Sequence, residues 1–255
     1  MKIGLQLYTV RDDTAKDFTG TLRQVAEMGY EGVEFAGYGD ATAEEMRDLL
    51  NELGLEAFGS HVSLQRLEEN LDEEIAYLKT VGARYVVCPY LTGEQLAGGE
   101  AFWLELFNKF NGIGQRLREE GLVLAYHNHA FEFERKINGE FVFDAMYNAV
   151  DSELLKVEID LGWVQYAGQD PLAYIAKYAG RLPLLHLKDF RQGKPGEDID
   201  TVELGQGDLA LNDLIGAAEK AQVEWLIVEQ DRCANPPLAS VRTSIEWLRA
   251  NGHKA

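Results

Sequence analysis

The chain has 255 residues, 46% of them hydrophobic, which is enough to build one large α/β core. Lys and Arg total 24 against 43 for Asp and Glu, and the resulting net charge of −19 argues against nucleic acid or anionic lipid as the main partner. Two distant cysteines, no signal-like segment and no apolar run of about 18 residues predict a reduced, cytoplasmic protein that does not contact a membrane.

Short apolar runs alternate with amphipathic stretches along the whole chain. In chain order the runs are IGLQLY, YEGVEF, LEAFGS, RYVVCPY, LVLAYHNH, LLKVEID, LPLLHLK and VEWLIVE. Helical patterns lie between them, for example over 18–28, 44–53, 69–81 and 102–120. Glycines that suit helix C-terminal caps precede several runs, namely Gly29, Gly54, Gly82, Gly121 and Gly180.

Eight strand–helix units predict a parallel sheet, because parallel strands need crossover connections. In about 250 residues this favours a single (β/α)8 barrel over residues 1–255. The structural alternative, an open doubly wound sheet, normally has a glycine-rich turn after its first strand, whereas here the first run continues into Tyr8-Thr9-Val10. The stretch from Arg191 to Leu204, with Gly193, Pro195 and Gly196, is predicted to be a loop over the rim.

Polar side chains gather where the predicted strands end, which is where barrel enzymes place their chemistry. Four of the five histidines fall at such ends. The polar and aromatic residues at these ends are Gln6, Tyr8, Glu34, His61, Tyr90, His127, Asn128, His129, Glu132, Glu158, Asp160, His186, Lys188, Asp189, Glu229 and Asp231.

The last four strands supply a candidate metal site from Glu132, Asp160, His186 and Glu229. Three carboxylates and an imidazole repel one another unless a cation joins them, and this donor set suits one divalent ion. Mn2+ is the first choice, with Co2+, Mg2+ or Zn2+ as alternatives. The competing interpretation is four separate groups, each paired with a cation such as Lys188.

Several neighbouring residues admit two interpretations. Glu158 is either a deep polar contact or a structural ion pair, and Asp189 either orients His186 or lies exposed in a loop. Tyr8, Tyr90 and Trp163 either line an apolar wall for a sugar ring or lie in the core, and the core is favoured for Tyr90. The Cys88 thiol is expected in the core.

The chain resembles the sugar phosphate isomerase/epimerase superfamily, the xylose isomerase-like TIM barrels. The segments that carry the resemblance are YHNHAFEF, EIDLGW, HLKDF, LGQGDL and VEQD. The resemblance implies the same four metal ligands, and it implies that Glu132 and Glu229 also act as the acid/base pair. Trp163 stands near the place where ketose 3-epimerases have a histidine, and YHNH and HLKD are more similar to the inosose dehydratases.

The resemblance implies a divalent-metal-dependent sugar isomerase or epimerase that forms an enediolate beside a metal-polarised carbonyl. The alternative is a lyase or dehydratase on a keto-sugar, keto-cyclitol or 3-keto-glycoside that uses the same metal site. His129 is a further catalytic candidate. The predicted substrate-binding residues are Tyr8, Glu34, His61, His127, Trp163, Lys188 and Arg191.

Two other classes fit poorly. Apurinic-site endonucleases of the superfamily need more histidines and a basic surface, and a non-catalytic sugar-binding barrel would lack a ligand or one of the two glutamates. Because the sequence has no glycine-rich phosphate cradle, the substrate is expected to be an unphosphorylated sugar or keto-sugar. A homo-oligomer is common among the relatives, and the sequence does not locate an interface.

Overall fold

The computed structural model describes residues 1–191 and 200–253. Eight parallel strands form a closed barrel in sequential order, and β1 closes it by pairing with both β2 and β8. The predicted (β/α)8 architecture is thus confirmed. The strands are β1 Lys2–Gln6, β2 Gly32–Phe35, β3 Glu56–His61, β4 Tyr85–Cys88, β5 Val123–His127, β6 Lys156–Asp160, β7 Leu184–Leu187 and β8 Trp225–Val228.

Helices pack around the outside of the barrel. In the described ranges they are α1 Arg11–Thr14, α2 Phe18–Met28, α3 Ala43–Leu53, α4 Leu64–Glu69, α5 Leu71–Val81, α6 Gly93–Ala97, α7 Gly99–Glu119, α8 Val142–Ala149, α9 Leu161–Tyr166, α10 Pro171–Lys177, α11 Leu211–Lys220 and α12 Pro237–Ala250. Short 3-10 turns occupy Leu7–Val10 and Phe131–Phe133. Within residues 1–191 and 200–253, no helix is both long and apolar enough to cross a bilayer.

The helix prediction over 18–28 matches α2, whereas the pattern over 69–81 is interrupted at Asn70, which ends α4 before α5 begins. The five glycines expected after helices have φ between 67° and 87°, the left-handed region of a C-terminal cap. The helix and cap signals in the sequence therefore mark element ends to within a few residues.

In the part of the chain that the structure describes, two antiparallel ribbons lie outside the barrel sheet. Lys136–Ile137 pairs with Glu140–Phe141, and Asp189–Arg191 pairs with Asp200–Val202. The prediction of a loop over 191–204 is therefore wrong for Arg191 and for Asp200–Val202, which pair as strands. Its glycine and proline positions, Gly193, Pro195 and Gly196, lie outside the described residues.

The barrel interior changes from apolar to polar along its axis. Its lower part holds a cluster of seven buried side chains, Phe58, Tyr85, Val87, Ala125, Leu184, Trp225 and Ile227. The Phe58 and Trp225 rings stack with centroids 4.1 Å apart. Gly4 and Gly32 leave room for them, since a Cβ at Gly4 would lie 2.4 Å from the Phe58 ring and one at Gly32 would lie 2.7 Å from the Trp225 ring. Above this floor, the strands present polar side chains to the interior.

Candidate active site

The upper interior of the barrel holds a dense group of buried ionisable side chains. All are at most 5% exposed: Glu34, His127, Glu158, Asp160, His186, Lys188 and Glu229. The strand register explains the convergence, because His127 lies beside Glu158 and Asp160 lies beside His186 on neighbouring strands. Asn128 reinforces it, since its side chain accepts from the Asp160 amide at 2.9 Å.

Four side chains form an upper ligand group: His127, Asp160, His186 and Glu229. One donor atom from each lies within 4.8 Å of the others. His186 Nδ1 is 2.9 Å from Glu229 Oε2, and His127 Nε2 is 4.0 Å from Asp160 Oδ2. Three of the four predicted ligands are therefore brought together, and His127 is the fourth member.

A second group, here called the lower group because Glu158 precedes Asp160 by two residues on β6, consists of His61, His127, Glu158 and His186. Glu158 Oε1 is 2.8 Å from His61 Nε2, 3.0 Å from His127 Nδ1 and 3.1 Å from His186 Nε2. Glu34 Oε2 is 2.9 Å from His186 Nε2 and accepts from Gln6 Nε2 at 2.8 Å. Glu158 is thus buried among three imidazoles, and both interpretations of it, a deep polar contact and a structural ion pair, stay predictions.

The imidazoles of His127 and His186 belong to both groups through different nitrogens. In each ring, one nitrogen faces the carboxylates of the lower group and the other faces the upper group. A carboxylate that accepts from one imidazole nitrogen fixes the tautomer and leaves the other nitrogen free to bind a cation. The lower group therefore orients the donor atoms of the upper group.

Lys188 places a buried ammonium beside the upper group. Its Nζ is 2.6 Å from Asp231 Oδ2, 3.0 Å from Asp160 Oδ2 and 3.2 Å from Glu229 Oε2. Burial alone would lower the pKa of Lys188, but these three carboxylates outweigh it and raise the pKa well above its ordinary value. Burial likewise disfavours the Glu229 carboxylate, yet Lys188 and His186 hold the pKa of Glu229 well below its usual range.

The upper group fits a divalent metal. Asp160 Oδ2 is buried and accepts no hydrogen bond within the described ranges, although Lys188 approaches it. Burial raises the pKa of Asp160, which shows that its negative charge is costly there. Two imidazole nitrogens and two carboxylates form a donor set that Mn2+, Co2+ and Zn2+ accept.

Glu132 lies apart from both ligand groups. Its Oε1 accepts from the Tyr126 hydroxyl at 2.7 Å and its Oε2 accepts from the His129 amide at 2.9 Å. Burial raises the pKa of Glu132 to about 8. Both oxygens are therefore already engaged within the β5 turn, and ligation and catalysis by Glu132 stay predictions.

The predicted catalytic residue His129 and the predicted binding residue Trp163 border the site on its aromatic side. The His129 ring is 5.1 Å from that of His127, and the Trp163 ring lies 5.3 Å from Lys188 Nζ. Burial and Lys188 lower the pKa of His129 to about 3, so its imidazole is neutral. His61, on β3, joins the lower group. Of the two histidines at the end of β5, His127 enters both groups, whereas His129 enters neither.

Two other predicted binding residues lie at the rim. Tyr8 is 44% exposed, and its ring stacks under the Arg11 guanidinium at 4.1 Å. Arg11 in turn donates to the carbonyl of Asp231, the partner of Lys188. Arg191 is exposed and donates to the Gln206 carbonyl at 3.4 Å. Substrate contact by Tyr8 and Arg191 stays a prediction.

Asp189 is buried and anchors the LGQGDL segment. Its carboxylate accepts backbone amides of Phe190, Gly205, Gly207 and Leu209 at 2.9–3.2 Å. A Cβ at Gly207 would lie 2.2 Å from Asp189 Oδ1, so only glycine fits there. The exposed-loop interpretation of Asp189 is wrong, and the glycines of LGQGDL were the signal for this contact.

The sequence match identifies the family. The profile of the xylose isomerase-like TIM barrel family matches residues 22–251, and the chain belongs to this family. Inosose dehydratase of Geobacillus kaustophilus is 25% identical over 193 residues, which cover 67% of this chain and 61% of that relative. Inosose dehydratase of Clostridium botulinum is 24% identical over 194 residues, covering 68% and 64%. The match thus spans less than two thirds of the length of either relative.

Solved structures show the same fold. A sugar phosphate isomerase/epimerase from Parabacteroides distasonis superposes with a TM-score of 0.82 at 21% identity over the full length of both chains. The IOLI protein with a bound zinc atom superposes with a TM-score of 0.77 at 16% identity over 96% of each chain. The resemblance inferred from the five segments is confirmed.

Proposed function

We propose that the chain is a divalent-metal-dependent carbon–oxygen lyase that acts on a keto-sugar or keto-cyclitol. The observation that carries this proposal is that one glutamate, Glu229, belongs to the upper ligand group, while Glu132 is engaged elsewhere. Epimerisation needs a second acid on the opposite face of the substrate, whereas elimination on one face can use a single carboxylate. The names of the curated relatives favour the same choice.

A divalent ion held by His127, Asp160, His186 and Glu229 would polarise the ketone and acidify the adjacent C–H bond. Mn2+ remains our first choice for this ion. Glu229 accepts the proton from that carbon, and the Lys188 ammonium stabilises the negative charge that develops on oxygen. The C–O bond at the next carbon then breaks, a C=C bond forms, and Glu229 returns the proton to the leaving oxygen.

The charge of the site favours an unphosphorylated substrate. Lys188 is fully buried and three carboxylates already surround its ammonium. A phosphate group would meet these carboxylates, and like charges repel. Cytoplasmic location and a homo-oligomeric state stay predictions of the sequence.

The reaction class can be tested in D2O with metal-loaded protein and three substrates: an inosose, a 3-keto-glucoside and a free ketose, the last with and without phosphate. We expect an unsaturated ketone from at least one unphosphorylated substrate, detected by ultraviolet absorbance and mass. Glu229→Gln should lower kcat by about 10²–10⁴ at saturating metal. Glu224→Gln is the matched control, because Glu224 lies at the opposite end of the same barrel and pairs with Arg84.

Two outcomes would overturn the proposal. Deuterium uptake without loss of mass, abolished equally by Glu132→Gln and Glu229→Gln, would identify a two-glutamate epimerase. Faster turnover of the phosphorylated ketose would refute the assignment of an unphosphorylated substrate.

A further inference from the structure

The rim above β4, β5 and β6 carries a row of aromatic rings that leads away from the ligand groups. The inner rings are His129 and Trp163, whose centroids are 5.5 Å apart. The outer rings are Tyr90, which meets His129 edge-on at 5.4 Å, and Tyr166, which meets Trp163 edge-on at 5.5 Å. The inner rings in turn contact the site: the His129 ring lies 5.1 Å from that of His127, and the Trp163 ring lies 5.3 Å from Lys188 Nζ.

The inner rings carry unused polar atoms. His129 Nδ1 and Trp163 Nε1 are shielded from solvent, and neither has a hydrogen-bond partner in residues 1–191 or 200–253. A shielded polar atom without a partner is costly. The indole can only donate, and the neutral imidazole nitrogen can donate or accept, depending on its tautomer. A hydroxylated ring seated at the metal site would satisfy both atoms.

The outer rings, Tyr90 and Tyr166, are partly exposed to solvent. Tyr90 is 53% exposed and Tyr166 is 39% exposed, so the expectation that Tyr90 belongs to the core is wrong. Phe131 extends the surface, 6.1 Å from Tyr90 and stacked on His129 at 5.7 Å. Flat aromatic faces of this kind pack against the C–H faces of uncharged rings.

We infer that Tyr90 and Phe131 form a subsite for a second uncharged ring that is joined through oxygen to the reacting sugar ring. This inference rests on the proposed function and specifies its substrate class as a keto-glycoside. The C–H bond beside the ketone breaks, the C–O bond to the second ring breaks, and a C=C bond forms in the sugar. The proton leaves on the released alcohol, so no other reactant is needed. An inosose, with one ring, would leave this subsite unused.

Binding of unreactive ligands tests the subsite without chemistry. Methyl glucoside, phenyl glucoside and cellobiose are titrated into the full-length protein and followed by ligand-observed NMR. We expect phenyl glucoside or cellobiose to bind about three- to tenfold more tightly than methyl glucoside. Tyr90→Ala should remove this preference and Tyr90→Phe should keep it, while the affinity for methyl glucoside stays unchanged.

Leu104→Ala is the matched control, because it removes a side chain that is 44% exposed on α7, and it should keep the preference. Equal affinity for all three ligands, or a preference that survives Tyr90→Ala, overturns the subsite. Elimination from keto-sugars without a second-ring preference would leave the lyase intact and refute the subsite. A second-ring preference with no elimination from any keto-substrate would leave the subsite intact and refute the lyase.

Discussion

The imidazole of His127 shows how one side chain serves two neighbouring groups of charges. Its Nδ1 is 3.0 Å from Glu158 and its Nε2 faces Asp160. The carboxylate behind the ring fixes the tautomer that presents a lone pair to a cation. His127 was predicted to contact substrate, and its position makes it a candidate metal ligand.

Metal affinity distinguishes the two candidates for the fourth ligand. His127→Gln should weaken Mn2+ binding at least about 100-fold, because it removes a donor nitrogen as well as its support. Glu132→Gln should weaken it less than about tenfold. Competition against a fluorescent chelator measures both, and His253→Gln, in the tail beside Asn212, serves as the control. Lost affinity in Glu132→Gln with full affinity in His127→Gln would favour the ligand set read from the sequence.

The sequence could predict which residues reach the site but not all of their partners. Strand alternation and the C-terminal ends of the strands are enough to select Asp160, His186 and Glu229. The choice between Glu132 and His127 depends on the turn after β5, where the Tyr126 hydroxyl and the His129 amide engage the Glu132 carboxylate. Such contacts depend on side-chain rotamers that no local pattern encodes.

Among the elements, α7 packs unusually close to the chain that leads into β6. A Cβ at Gly114 would lie 2.4 Å from the Leu154 carbonyl oxygen and 3.0 Å from its Cβ. Gly112, two residues earlier in the same helix, has open space around it. Within the body of the helix, Gly114 is therefore a glycine that packing requires and Gly112 is one that it does not.

Alanine substitutions at these two glycines should have opposite effects on stability. Gly114→Ala should lower the free energy of unfolding by about 1–3 kcal/mol, because backbone must move to admit the methyl group. Gly112→Ala should raise it by about 0.5–1 kcal/mol through the higher helix propensity of alanine. Urea denaturation measures both changes. Equal effects would mean that α7 does not approach Leu154 this closely.

Element boundaries followed from the sequence where caps and apolar periodicity agree, as in α2. They failed where tertiary contacts decide the structure. The ribbon from Asp189 depends on cross-strand pairing with Asp200–Val202 and on the buried Asp189 carboxylate. A count of glycine and proline indicates only that such a segment is irregular.

For the molecule as a whole, the buried carboxylates predict a stability that depends on cations. A metal that binds only the folded chain stabilises it by about 2.7 kcal/mol at 100 times its dissociation constant. In a protein of this size that corresponds to a rise in Tm of about 5–10 °C. We expect this rise on adding Mn2+ to chelator-treated protein, measured by calorimetry. The rise should be absent in Asp160→Asn, and an equal rise in that variant would place the ion elsewhere.

The stacked Phe58 and Trp225 rings close the lower end of the barrel beneath the polar side chains. An ion would therefore enter and leave through the upper end of the barrel, where the reacting ring would also bind. We therefore expect an ion to enter before the sugar and to leave only after it. Loading and release thus follow a fixed order, and a chelator competes with the ion only in the intervals between turnovers.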